Sequence, residues 1–258
     1  MLVVVGLLAI ASGALASIYR VPLIKVESEM VRMLRQKTWG AHIKRMESQG
    51  LDLLRNFPMK ENRNQPLYYD LEYVGNITVG TPDQTFQVAV DTGSADFWIV
   101  DDTCAPDYPE RHIDGILGLA FSSMAEGRGE PPFERAVKLG RVKPIFTIYM
   151  KHVGQLLSVA TTGESGVYGG EITYGGLDGQ HCDGSIVYHS LSLATYWQFK
   201  ITTFTSGNFS AASILWVAMS DTVSSVIGAP VAIAEAVAKQ FNADGTGMGG
   251  SSHVYRLH

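Results

Sequence analysis

A chain of 258 residues, 46% of them hydrophobic, can form one large all-β domain or two smaller lobes. Its formal net charge of −5 argues against a nucleic-acid binder, and no long charge-rich tract suggests wholesale disorder. The charge is unevenly placed, with nine Lys and Arg against four Asp and Glu in residues 17–60, and eleven against twenty-one in residues 61–258. A basic leader of +5 is attracted by an acidic body of −10, and falling pH weakens that attraction by protonating carboxylates.

Residues 1–16 are apolar and small and end in Ala14-Leu15-Ala16. The run is too short to span a membrane comfortably and fits a cleaved secretory signal. No second long apolar run follows, so no membrane anchor is expected. Val21-Pro22-Leu23-Ile24-Lys25 reads as a short strand, and Met30, Val31 and Leu34 share one face of a helical stretch. A second helical piece is expected near Ala41–Leu54, and Asn62 to Pro66 forms a polar linker where processing would act.

The period then changes. Leu71 to Val79 reads as a strand, Gly80-Thr81-Pro82-Asp83 as a turn, and Thr85 to Val90 as the hairpin partner. Gly115-Ile116-Leu117-Gly118-Leu119 suits a buried strand that packs closely on another backbone. Pro131-Pro132-Phe133 opens a short helix that Gly140 ends. Strands are expected at Ile145–Met150, Gly169–Gly176 and Tyr196–Ile201. Pro230 starts an Ala-rich helix to about Phe241, and the Gly- and Ser-rich tail from Asn242 is expected to fray. Asn76-Ile77-Thr78 and Asn208-Phe209-Ser210 are possible glycosylation sequons. Cys104 and Cys182 are the only cysteines, and spacing alone leaves their pairing open.

The chemistry concentrates in Asp91-Thr92-Gly93-Ser94, which ends an alternating strand and sets one carboxylate on a tight turn. Peptide hydrolysis by carboxylates needs two of them around one water. Like charges about 3 Å apart cannot both ionise, so they share a proton and divide the roles of base and acid. Thr92 offers a hydroxyl to brace the turn, Gly93 permits close backbone approach, and Ser94 can hydrogen-bond the carboxylate.

These residues resemble the first catalytic motif of the pepsin-like aspartic endopeptidases. Ile113-Asp114-Gly115-Ile116-Leu117-Gly118-Leu119-Ala120 is similar to the segment that backs the first catalytic loop in that family, and Gly169–Gly176 and Tyr196-Trp197-Gln198-Phe199 match further segments. Order and spacing then place Ala218-Met219-Ser220-Asp221-Thr222-Val223-Ser224-Ser225 on the second motif, with Asp221 as partner of Asp91 and Thr222 and Ser224 as its supports. Tyr196 and Trp197 read as core residues rather than substrate contacts.

The resemblance implies an all-β, bilobal, pepsin-like acid protease fold with a few short helices and an N-terminal prosegment. Residues 1–16 are then the signal peptide, 17–66 the basic prosegment, 67–165 the N-terminal lobe and 166–258 a shortened C-terminal lobe. It implies a monomeric aspartic-type endopeptidase made as a secretory zymogen, secreted or lysosomal and working at acidic pH. Its partners are a peptide or protein substrate and its own prosegment, with no nucleic acid. No cofactor and no metal are expected; the histidines show no H-x-x-x-H ligand spacing.

Three features depart from the family pattern. Val223 stands where the family has Gly, and a stiff β-branched residue there is expected to misplace Asp221. The chain passes from Cys104 almost directly to Ile113, without the flap hairpin or the usual disulfide partner of the Cys104 position. It also stops soon after the helix at Pro230, short of the last strands of the second lobe. The alternative reading is a catalytically inactive peptide-binding relative or a non-functional truncated product.

Overall fold

The computed structural model describes residues 16–26, 32–33, 36–48, 73–100, 113–126, 129–151, 166–224, 227–242, 244–247 and 253–256. Nearly all of the proposed signal, the Met30–Leu34 helical face, the linker at 62–66, Cys104 and Ser225 lie outside these residues.

The architecture is all-β, with three short α-helices among the described residues. A seven-stranded sheet carries most of the structure. In chain order its strands are β1 (Tyr19–Lys25), β2 (Tyr73–Val79), β3 (Gln84–Asp91), β4 (Phe97–Ile99), β5 (Gly115–Gly118), β6 (Phe146–Met150) and β7 (Val167–Tyr174). They lie side by side as β4-β5-β3-β2-β1-β7-β6. Helix α1 (Trp39–Ser48) precedes β2, and α2 (Pro132–Lys138) precedes β6. Helix α1 covers the first part of the helix expected near Ala41–Leu54, and residues 49–54 of that expectation lie outside the described residues.

The sequence explains the centre of this sheet. β3 begins exposed, but Val88 to Asp91 are all buried: β2 and β5 pair with its two edges, and apolar clusters around Ala89 and Val90 cover its two faces. The β3–β5 pair is parallel, with Val88 opposite Gly115 and Asp91 opposite Gly118. The β5 glycines are required by contact: an added Cβ would lie 2.1 Å from the Trp98 carbonyl oxygen at Gly115 and 2.6 Å from the Ala95 backbone at Gly118. β1 sits in the interior of the sheet between β2 and β7, with Leu23 only 1% exposed, and Arg20 meets Glu171 of β7 at 3.3 Å.

Two apolar clusters flank the sheet. One joins Val26, Val74, Ala89, Ile113 and Ile116. The other joins Leu23, Val90, Leu119 and Ile172, with Phe133, Phe146 and Tyr174 packed against it. Gly140, at φ 67°, turns the chain out of α2.

The C-terminal part holds smaller sheets. β8 (Leu191–Ala194), β9 (Trp197–Lys200) and β12 (Val217–Met219) form a three-stranded sheet in the order β12-β9-β8. β10 (Thr203–Ser206) and β11 (Phe209–Ala212) form a hairpin, and α3 (Val231–Gln240) follows Pro230. Ile214, Leu215 and Ile227 are each more than four-fifths exposed, so this part buries its apolar residues far less fully than the large sheet does. The tail departs from the expected fraying: β13 (Asp244–Gly247) pairs with β14 (His253–Arg256).

Candidate active site

Asp91 terminates β3, and the chain turns at Thr92-Gly93 before β4. The residue is 7% exposed. Oδ1 accepts from the Gly93 N–H at 2.7 Å and Oδ2 from the Ser94 hydroxyl at 2.5 Å. The chain after β5 backs this loop: the Leu119 N–H donates to the Asp91 carbonyl at 2.7 Å and the Ala120 N–H to the Ser94 carbonyl at 2.8 Å. Burial pushes the Asp91 carboxyl above its ordinary range, the Ser94 hydroxyl pulls it back, and the nearby Asp221 charge pushes it up again.

Asp221 follows β12 and is half-buried. Its Oδ1 accepts from the Val223 N–H at 2.9 Å and from the Ser224 N–H at 3.4 Å. The first bond repeats, two residues on, the one that Gly93 gives Asp91. Thr92 and Thr222 lock the two loops together. The Thr92 N–H donates to Thr222 Oγ1 at 3.1 Å, and the Thr222 N–H donates to Thr92 Oγ1 at 3.0 Å. Each hydroxyl then donates across the junction, Thr92 to the Ser220 carbonyl at 2.9 Å and Thr222 to the Val90 carbonyl at 2.5 Å. Thr92 therefore braces the opposite loop rather than its own turn. Gly93 is needed for approach and not for a left-handed backbone: an added Cβ would lie 2.9 Å from the Asp221 carboxylate.

Two Asp-Thr loops in reciprocal contact, each on its own strand, set the context for comparison with known proteins. The family model for eukaryotic aspartyl protease matches residues 72–112 and 105–255. The chain belongs to the eukaryotic aspartyl protease family. It is thereby an aspartic-type peptidase in general activity. Aspartic protease 2 of Necator americanus is 29% identical, over 92% of this chain and 78% of the relative. Aspartic protease 6 of Caenorhabditis elegans is 28% identical over 90% and 75%. Pepsin A of Rhinolophus ferrumequinum is 24% identical over 87% and 72%. The first of these pairings runs over 342 positions, more than the 258 residues present here, so that relative carries internal stretches without a counterpart in this chain.

Within this aspartyl protease, Val223 behaves differently from the sequence expectation. Its backbone avoids the left-handed region, in which only Lys37 and Asn242 stand among the described non-glycine residues. Its amide still holds Asp221, and its side chain packs against the cluster of Val26, Val74, Ala89, Ile113 and Ile116. Ser224 reaches Asp221 through its backbone amide, in contrast to the hydroxyl that Ser94 offers Asp91.

Trp197 ties the C-terminal part to the chain after β5. The half-buried Trp197 indole donates to the Leu119 carbonyl at 2.9 Å and packs on Phe121 and Phe146. Tyr196 is half-buried, and its phenol is pushed up by burial and then by the Asp91 charge. A hollow of about 480 Å³ lies on the Asp221 side, lined by Thr92, Asp221, Thr222, Trp197, Phe146 and Ile148 among others.

Glu171, Asp178 and His181 bring possible ligand atoms within 4.8 Å of one another. Internal partners account for them. Asp178 Oδ2 lies 2.6 Å from His181 Nδ1, its Oδ1 accepts two backbone N–H groups, and Glu171 pairs with Arg20. His181 also stacks on Tyr149 at 4.1 Å, which ties the loop after β7 down onto β6. Asn76 and Asn208 are both exposed, the latter at the β10–β11 turn, and Cys182 is an exposed free thiol.

Proposed function

We propose that Asp91 and Asp221 jointly activate a water for attack on a peptide carbonyl, with one carboxylate as base and the other as acid. The observation that carries this reading is the threonine cross-brace, which unites two loops 130 residues apart and lays the Asp221 carboxylate against Gly93. The raised proton affinity of Asp91 supports it, because a shared proton needs one carboxyl that gives up its proton late. No metal or cofactor enters this scheme. Thr92, Gly93, Ser94, Thr222 and Ser224 position the two carboxylates, and the substrate is a peptide or protein in extended form.

We further propose a zymogen routed through the secretory pathway to the cell exterior or the lysosome, with residues 1–16 as signal and 17–66 as prosegment. Lobes at 67–165 and 166–258 complete the organisation. The basic charge of residues 17–60 and the Arg20–Glu171 contact support a leader held on an acidic body. No helix among the described residues is long and apolar enough to cross a membrane.

Two measurements on the purified chain at acidic pH test this. Peptide hydrolysis is expected to be blocked by a transition-state-analogue inhibitor of aspartic peptidases. Mass spectrometry is expected to show loss of an N-terminal segment ending near residues 62–66. A folded chain without inhibitable hydrolysis would leave the peptide-binding alternative standing, and an unprocessed but active chain would overturn the zymogen reading.

A further inference from the structure

We infer that Val223 is a positioning residue, the peg that seats the Asp221 loop on the apolar cluster beside β2, β3 and β5. The two loops differ in what stands behind them. The Asp91 loop rests on the chain after β5 through two backbone hydrogen bonds, from Leu119 and Ala120. Among the described residues no strand backs the Asp221 loop in the same way; β12 pairs with β9 alone.

Val223 supplies the missing support. Its side chain packs against the cluster that holds Val74 of β2, Ala89 of β3, Ile113 just before β5 and Ile116 within it, joined by Val26 of the proposed prosegment. Its amide is at the same time the 2.9 Å donor to Asp221 Oδ1. One residue therefore joins the carboxylate to the core. A β-branched side chain suits this task, because its restricted χ1 transmits the position of the cluster to the backbone. Glycine would remove that contact and free the loop backbone. Comparison with the first motif suggests that Val223→Gly repairs the site; the packing says that it loosens it.

The catalytic consequence rests on the Asp91–Asp221 reading, but the seating of the loop is measurable without it. Amide hydrogen exchange at positions 223 and 224, corrected for intrinsic rates, reads the loop directly in the full chain. Opening of a local segment sets this rate, so Val223→Gly is expected to raise it about tenfold or more. Val223→Ala should fall between, and Val223→Ile should keep wild-type protection. Ile172→Val, a core change in the other cluster, should leave these amides unchanged. Affinity for a transition-state-analogue inhibitor should fall in the same order as protection. Equal or greater protection in Val223→Gly, or the same loss in Ile172→Val, would overturn the inference. Should Val223→Gly fail to fold, Val223→Ala against Val223→Ile carries the same test. Failure of the dyad reading would show instead as hydrolysis unaffected by Asp91→Asn, whatever the exchange at 223 and 224.

Discussion

The Asp91 loop and the Asp221 loop carry the same internal hydrogen bond, from the amide two residues on, yet they stand on different foundations. Asp91 ends a strand paired on both edges, and the residue is 7% exposed. Asp221 follows a three-residue strand paired on one edge and is half-buried. One loop is fixed by its own sheet. The other is fixed by what it borrows: two threonine hydroxyls and the Val223 contact. The proposed two-carboxylate site thus takes its geometry mainly from the more fully buried half.

The largest way to break this arrangement is Gly93→Ala. The added methyl would meet the Asp221 carboxylate at 2.9 Å, so one loop must shift. A displacement of ~1 Å costs on the order of a hundredfold in rate, and kcat for an acid-pH peptide assay should fall by that much. Unchanged kcat would mean that the carboxylate sits clear of Gly93 during turnover.

Thr222→Val comes next. It removes the hydroxyl that donates to the Val90 carbonyl and accepts from the Thr92 N–H, leaving both part-buried groups short of a partner. Chemical denaturation should show a loss of about 2 kcal/mol, the usual cost of such orphaned groups. Thr92→Val should cost a similar amount, since it strands the Thr222 N–H; a large difference between the two would break the reciprocity.

The third effect is a pH dependence. Burial, followed by the Asp221 charge, raises the Asp91 carboxyl above its ordinary 3.8. A raised carboxyl favours the folded state fully below its unfolded value, and that contribution is lost as pH rises through the folded value. Stability of the wild type should therefore decline relative to Asp91→Asn as pH is raised from about 3.8 upward. Parallel stability curves would mean that Asp91 ionises as easily in the fold as outside it. The smallest effect is Arg20→Ala, which removes a partly exposed ion pair from β1 and should cost only ~0.5 kcal/mol, measured by denaturation.

Much of the first half was legible in the residues. The alternation of Thr85–Val90 gave β3, the glycines bounding Ile116-Leu117 gave a strand pressed onto another backbone, and Pro132 with Gly140 bounded α2. These are local signals, and local geometry obeys them. The hairpin at β10–β11 went unread although Gly207-Asn208 is a fair turn signal, with Gly207 at φ 55°. The site was half legible. Asp91 and Asp221 were found by motif and order, but the threonine brace, the need for Gly93 and the packing of Val223 arise from contacts between residues far apart in the chain. Val223 shows the limit most clearly. Its sequence neighbours mark it as a fault in a glycine position, and only packing partners more than a hundred residues away turn it into a support.

The most direct test of two loops working as one site is acid-pH peptide hydrolysis by Asp221→Asn beside Asp91→Asn and the wild type. Loss of a joint acid–base pair predicts that each single substitution lowers kcat about a thousandfold, with similar inhibitor-sensitive residual rates. Near wild-type hydrolysis by Asp221→Asn, with Asp91→Asn inactive, would contradict the two-carboxylate site.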